Sequence, residues 1–161
     1  MDSPEHHTAM PAPRHDQSRR ARLRRRTPVP AVYRRLIRAA EKVRGRAYAP
    51  YSRFPVGAAV LAADGTVYAG CNVENASFGL TQCAERVAIH CAVAGGRRRL
   101  IALAVAGPPG ISPCGACRQV MDEFGVGTVI LASPGAAPAV VALRDLLPRP
   151  FGREAVRSRP V

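Results

Sequence analysis

The 161-residue chain contains no tryptophan, and aromatic residues make up only 5% of it. No basic run is interleaved with the aromatic side chains on which single-stranded bases stack, so nucleic acid is not expected as a partner. The longest apolar stretches, such as residues 54–63, fall well short of the roughly 18 residues that suggest a membrane span, and a membrane is not expected either. No apolar signal-peptide region opens the sequence. An internal repeat is lacking as well. Acids are few, 11 against 24 Lys plus Arg, for a formal charge of +13. Residues 1–27 hold seven arginines and three acids, a net +4, leaving +9 on the other 134 residues. Such a charge could attract polyanions, but without the aromatic component it reads as solvated surface.

With 47% hydrophobic residues the chain can build one domain with a real core and is too short for two ordinary ones. Residues 1–27 lack periodic apolar positions and are expected to form a basic, disordered arm. Residues 28–155 read as the folded domain and 156–161 as a tail. From Pro30, Val32, Tyr33, Leu36, Ile37, Ala40 and Val43 share one helical face and charged residues take the other, predicting a surface helix that ends near Gly45. A buried strand is expected over 54–63. Asp64-Gly65 signals a type I′ hairpin turn, returning an antiparallel strand over 66–71. Gly57 in the first strand would let a neighbour approach its backbone. A buried helix from about Cys83 to the Gly95-Gly96 stop, a strand over 100–106, a helix over 118–124, strands over 128–132 and 139–143 and a helical piece at 145–148 complete the reading. Helices alternating with apolar strands indicate an α/β fold, a three-layer α/β/α sandwich with a hairpin followed by parallel crossovers.

Five cysteines is an odd number, and metal-type spacing accounts for three of them, so a reducing cytoplasm is expected rather than secretion. Cys83-Ala84-Glu85-Arg86 stands about thirty residues before Pro113-Cys114-Gly115-Ala116-Cys117-Arg118-Gln119. Three thiolates can hold a tetrahedral Zn²⁺ and leave its fourth position to water, as in catalytic rather than structural sites. Glu85 adds a carboxylate able to move protons beside that water. On an ideal helix residues 83 and 85 point about 200° apart, so Cys83 must lie at or before the helix N-cap if both are to face one ion. Helix N-termini favour the anionic sulfurs, and Arg86 could donate to them. Taken alone, Cys114-x-x-Cys117 could equally be a redox pair or half of a structural zinc knot. Cys71 and Cys91 read as buried core thiols, and His90 has no matching ligand cluster. In extended geometry Asn72 and Glu74 project to the same side and could converge on one ligand.

With these motifs the chain resembles the short, three-cysteine cytidine deaminases over about residues 28–155. That resemblance implies a five-stranded mixed sheet with helices on both faces, one zinc per subunit on Cys83, Cys114 and Cys117, and hydrolytic attack at C4 of a cytosine ring with Glu85 as the proton shuttle. Phe54-Pro55-Val56-Gly57 and Asn72-Val73-Glu74-Asn75 are similar to the family's nucleoside pocket. Phe54, Asn72, Glu74 and Ala84 are thereby expected as substrate contacts, and cytidine and 2′-deoxycytidine as substrates in pyrimidine salvage. Leu146-Leu147-Pro148 with Phe151-Gly152 matches the family's C-terminal segment, which implies a homotetramer in which Phe151 reaches a neighbouring subunit's site. Phe78 departs from the family, standing where relatives commonly carry Tyr. Enzymes acting on cytosine-containing antibiotics such as blasticidin S look similar around the zinc, and a basic nucleic-acid-binding or editing protein is a further alternative.

Overall fold

A computed structural model of the protein describes residues 29–152 together with 154 and 156. The expected arm over 1–27 and, apart from Val156, the tail over 156–161 lie outside the described residues. In chain order the elements are α1 (Ala31–Arg44), β1 (Gly57–Ala62), β2 (Val67–Cys71), α2 (Ala84–Ala94), β3 (Leu100–Ala106), α3 (Gly115–Glu123), β4 (Thr128–Ala132), β5 (Ala139–Ala142) and α4 (Leu143–Leu146).

One five-stranded sheet runs in the order β2-β1-β3-β4-β5. β1 pairs antiparallel with both β2 and β3, β3 pairs parallel with β4, and β4 pairs antiparallel with β5. Both helical crossovers therefore return strands of one direction, as expected, and the first of them passes over β1 so that β2 and β3 do not touch. Alternation along β1 divides the core between the two faces. Ala59 and Leu61 pack with Leu36 and Ala40 of α1, while Ala58, Val60 and Ala62 pack with Ala88, Ile89, Cys117 and Met121 of α2 and α3. All six residues of β1 are buried because both faces are covered.

The α1 face of the sheet is built from small residues, including Ala59, Ala102, Ala104 and Ala106. This lets α1 settle close. A Cβ on Gly57 would stand 2.1 Å from the Ala40 carbonyl oxygen and 2.7 Å from the Arg44 nitrogen, so only glycine fits there. The first strand is correspondingly shorter than its apolar run: Phe54, Pro55 and Val56 lead into it as irregular chain.

The β1–β2 turn corrects the type I′ expectation. Gly65 has φ of 85°, but Asp64 does not share the left-handed region. Gly65 N donates to the Ala62 carbonyl at 3.0 Å and Ala62 N donates to that of Thr66 at 2.9 Å, which makes a longer loop with one left-handed glycine. Asp64 is drawn from the left-handed conformation by its own side chain, which accepts from Thr66 N at 2.9 Å and pairs with Arg97 Nε at 2.9 Å.

Candidate active site

Four chain segments meet at one end of the sheet. They are the approach to β1, the exit from β2, the start of α2, and the loop between β3 and α3. The register places Gly57 opposite both Cys71 and Ala106, so the entry to β1 and the exits of β2 and β3 lie at the same edge. That is where ligands bind in open α/β sheets. A cavity of about 430 Å³ opens there, with Phe54, Asn72, Glu74, Cys83, Ala84, Glu85 and Cys114 in its lining.

Asn72 is buried and its amide serves the backbone. Its Oδ1 accepts from Val56 N at 2.8 Å and its Nδ2 donates to the Phe54 carbonyl at 3.0 Å. This ties the chain before β1 to the strand beside it and fixes Phe54 at the cavity wall. Glu74 ties the same wall from the other side. Its Oε2 accepts from Tyr51 N at 2.9 Å and Ser52 N at 3.2 Å, and its Oε1 accepts from the Ser52 hydroxyl. These bonds, the Ser52 hydroxyl first among them, hold the Glu74 carboxyl below its usual range. The carboxylate is half-exposed, because its partners lie on a surface turn.

Cys83 and Cys114 occupy equivalent positions. Each is the N-cap of its helix, with extended φ/ψ of −72°/149° and −69°/168°, and neither side chain caps a backbone N–H. Both sulfurs are thus left unused by the helix ends. Cys83 lying outside α2 is what allows Glu85, one residue into the turn, to border the same cavity, and the geometric expectation is met.

Cys83 Sγ and Cys114 Sγ lie 4.0 Å apart and Cys114 Sγ and Cys117 Sγ 3.5 Å apart, with all three sulfurs within 4.8 Å of one another. Zn–S bonds of about 2.3 Å at tetrahedral angles require sulfurs about 3.8 Å apart. The three residues fit one zinc. Arg86 Nη2 donates to the Thr81 carbonyl at 2.9 Å and stands 3.8 Å from Cys83 Sγ. Hydrogen bonding from Cys117, then from Arg86 and Cys114, pulls the Cys83 thiol down to about 5, whereas its bond to Cys83 and burial push Cys117 up. Burial pushes the Glu85 carboxyl up to about 7, the charge on Cys83 adding to the effect.

Several residues fall elsewhere. Phe151 is 68% exposed and does not line the cavity of its own chain. Cys91 is exposed and Cys71 only partly buried, which corrects their reading as core thiols: Cys91 stands on the outer side of α2, and Cys71 sits on the edge strand. His90 is exposed too. Sequence reasoning missed Ser52, Thr81 and Ile111 in the cavity wall and the part played by Arg118. The Arg118 guanidinium donates to the carbonyls of Pro113 at 2.8 Å and Leu146 at 2.8 Å and to Ser112 Oγ at 3.2 Å, bracing the loop before Cys114. Its charge in a helical turn gave a signal only for capping or packing.

Three grouped thiols and a buried carboxylate at two helix N-termini, beside an open cavity that Cys83, Cys114 and Glu85 line, define a zinc-site enzyme rather than a metal-knotted scaffold. Comparisons with known proteins agree. A family model described as the cytidine and deoxycytidylate deaminase zinc-binding region matches residues 30–133. The cytidine deaminase of Sporosarcina psychrophila is 48% identical over 126 residues, covering 74% of this chain and 91% of the relative. That of Mycobacterium tuberculosis is 52% identical over 109 residues, covering 66% and 79%. Among solved structures, the cytidine deaminase from Burkholderia pseudomallei superposes with a TM-score of 0.71 at 50% identity, covering 74% of this chain and 98% of that one. The chain belongs to the cytidine and deoxycytidylate deaminase family.

Proposed function

We propose that the protein hydrolyses cytidine and 2′-deoxycytidine to uridine and 2′-deoxyuridine, releasing ammonia, as a step of pyrimidine salvage. The observation that carries this reading is that Glu85 lines one cavity with Cys83, Cys114, Phe54, Asn72 and Glu74, while the Cys117 thiol, buried behind it, completes the group of three sulfurs. Zinc held by the three thiolates supplies a Lewis acid that makes water a nucleophile at neutral pH. Glu85 takes one proton from the attacking water and delivers it to ring N3 as oxygen bonds to C4. It then carries the second proton to the amino group as the C4–N bond breaks. A carboxyl whose affinity for protons has been raised by burial suits both tasks.

Arg86 offsets the charge of the thiolates. Phe54 packs on the pyrimidine, and Asn72 keeps it there by holding the Phe54–Val56 backbone. Ala84, buried at the first position of α2, leaves room for the ring. Glu74 accepts a hydrogen bond from the ribose 3′-hydroxyl. As an anion it accepts well from a hydroxyl and repels a 3′-phosphate, which favours free nucleosides over polynucleotide.

The assembly is a homotetramer in which Phe151 enters a neighbouring subunit's site; exposed Tyr51, Phe78, Leu80 and Phe151 offer apolar surface for it. The site of action is the cytoplasm, where thiols remain reduced; no described helix is long and apolar enough to cross a membrane.

The test is loss of cytidine ultraviolet absorbance with purified protein, with and without a chelator, against cytosine, cytidine monophosphate and a cytosine-containing oligonucleotide. Chelator-sensitive turnover of cytidine with little turnover of the others is the expected result. Equal turnover of the oligonucleotide would overturn the assignment to free nucleosides.

A further inference from the structure

Phe151 combines two properties that do not belong together in an isolated subunit. Its side chain is 68% exposed, yet its peptide is gripped on both sides by one residue of α3. Gln119 Nε2 donates to the Phe151 carbonyl at 2.9 Å, and Phe151 N donates to Gln119 Oε1 at 3.1 Å. A side-chain amide here reproduces the paired bonds of a strand ladder across 32 residues of sequence. Ordering a phenylalanine and leaving its ring in water stabilises a lone chain little, because the ordering entropy is not met by burial. The grip makes physical sense if the ring is being presented to something.

We propose that Gln119 is a positioning residue, which clamps the Phe151 peptide to the zinc-bearing helix so that the ring stands ready for the substrate cavity of a second copy of this chain. The proposal rests on the shared-site reading given above for Phe151. It adds the device that aims the ring and ties that device to the metal loop. Gln119 lies two residues after Cys117, and its neighbour Arg118 bonds Pro113 and Leu146 from the same helical turn. The C-terminal segment and the loop carrying Cys114 therefore share one support. The Gln119 side chain does not line the cavity of its own chain; its hydrogen bonds go to Phe151, and it acts through that residue.

Gln119→Met keeps the side-chain length and removes both bonds. With zinc-loaded full-length protein, the expected result is a KM for cytidine raised about three- to tenfold, the range of one net hydrogen bond, with kcat and zinc content near those of the parent. Phe151→Ala should raise KM at least as much, and the double variant should be no worse than Phe151→Ala, since the two residues act as one unit. A Gln119→Met protein that melts earlier but keeps the parental KM, while Phe151→Ala raises it, would show a merely structural tie and overturn the proposal. So would multiplicative effects in the double variant, or loss of zinc from Gln119→Met. If Phe151→Ala alone leaves KM unchanged, the shared-site reading fails first and the proposal falls with it. Should the parent protein turn over no nucleoside, the reading of the reaction fails separately, and light scattering then judges the clamp: both single variants must loosen the assembly alike, and an unaltered Gln119→Met assembly beside a loosened Phe151→Ala one overturns it.

Discussion

Cys83 and Cys114, 31 residues apart in the chain, bring their sulfurs to 4.0 Å because each is the residue just before a helix. The two helix N-termini point at one place, and both favour negative charge there.

Glu85 is separable from that metal site. Glu85→Gln keeps the size of the side chain and removes its ability to carry a proton. Zinc content should stay at the parental level while kcat falls by about 10²–10⁴, the range of general acid/base catalysis. Metal analysis alongside steady-state kinetics checks this, and near-normal turnover in the zinc-loaded variant would remove the role.

Glu74 should govern the sugar and leave the chemistry alone. Glu74→Gln replaces a charged acceptor by a neutral one, so KM for cytidine should rise about tenfold or more with a smaller change in kcat. The bonds from Tyr51 N and Ser52 N weaken at the same time. Kinetics with cytidine and its 3′-deoxy analogue provide the check: the analogue should respond far less to the substitution.

Gly57→Ala tests the seating of α1. The added methyl collides with backbone atoms, which cannot swing aside as a side chain would. Overpacking of this kind costs about 1–3 kcal/mol, and the melting temperature should fall accordingly. An unchanged melting temperature would mean that α1 does not sit this close.

Asp64 gives a pH signature far from the site. Its bonds from Thr66 N first, and then from Arg97, lower its carboxyl to about 2. A pKa lowered by folding stabilises the native state above the unfolded value of 3.8, and that contribution is lost as pH falls toward about 2. The melting-temperature gap between the parent and Asp64→Asn should narrow as pH drops from 6 toward 3. Arg97→Ala should raise the Asp64 pKa only part of the way by NMR titration, since the Thr66 bond remains.

Much of this was legible in one dimension. The helical period of Leu36, Ile37 and Ala40 predicts α1, and the apolar run at 100–106 is β3 residue for residue. Other features were hidden for specific reasons. A run of apolar residues cannot show where pairing stops, so the strand expected from Phe54 begins at Gly57, where partners first appear on both sides. The Asp64-Gly65 pair signals a turn but not its type, which Asp64 decides by choosing Thr66 and Arg97 as partners. Helix periodicity could not say that Cys91 lies outside, since α2 is apolar nearly all round and only the position of the sheet selects its buried side.

Residue types and spacing by themselves determined the metal chemistry: three sulfur donors with a carboxylate beside the first require few assumptions about the fold, since ligand identity is a property of side chains. Which groups remain free to meet a ligand was decided only in three dimensions. Asn72 spends its amide on the chain before β1, Glu74 is shared with Ser52, and Gln119 holds Phe151. Hydrogen bonds between residues far apart in sequence form or fail according to the position of the whole backbone, and no local pattern records them.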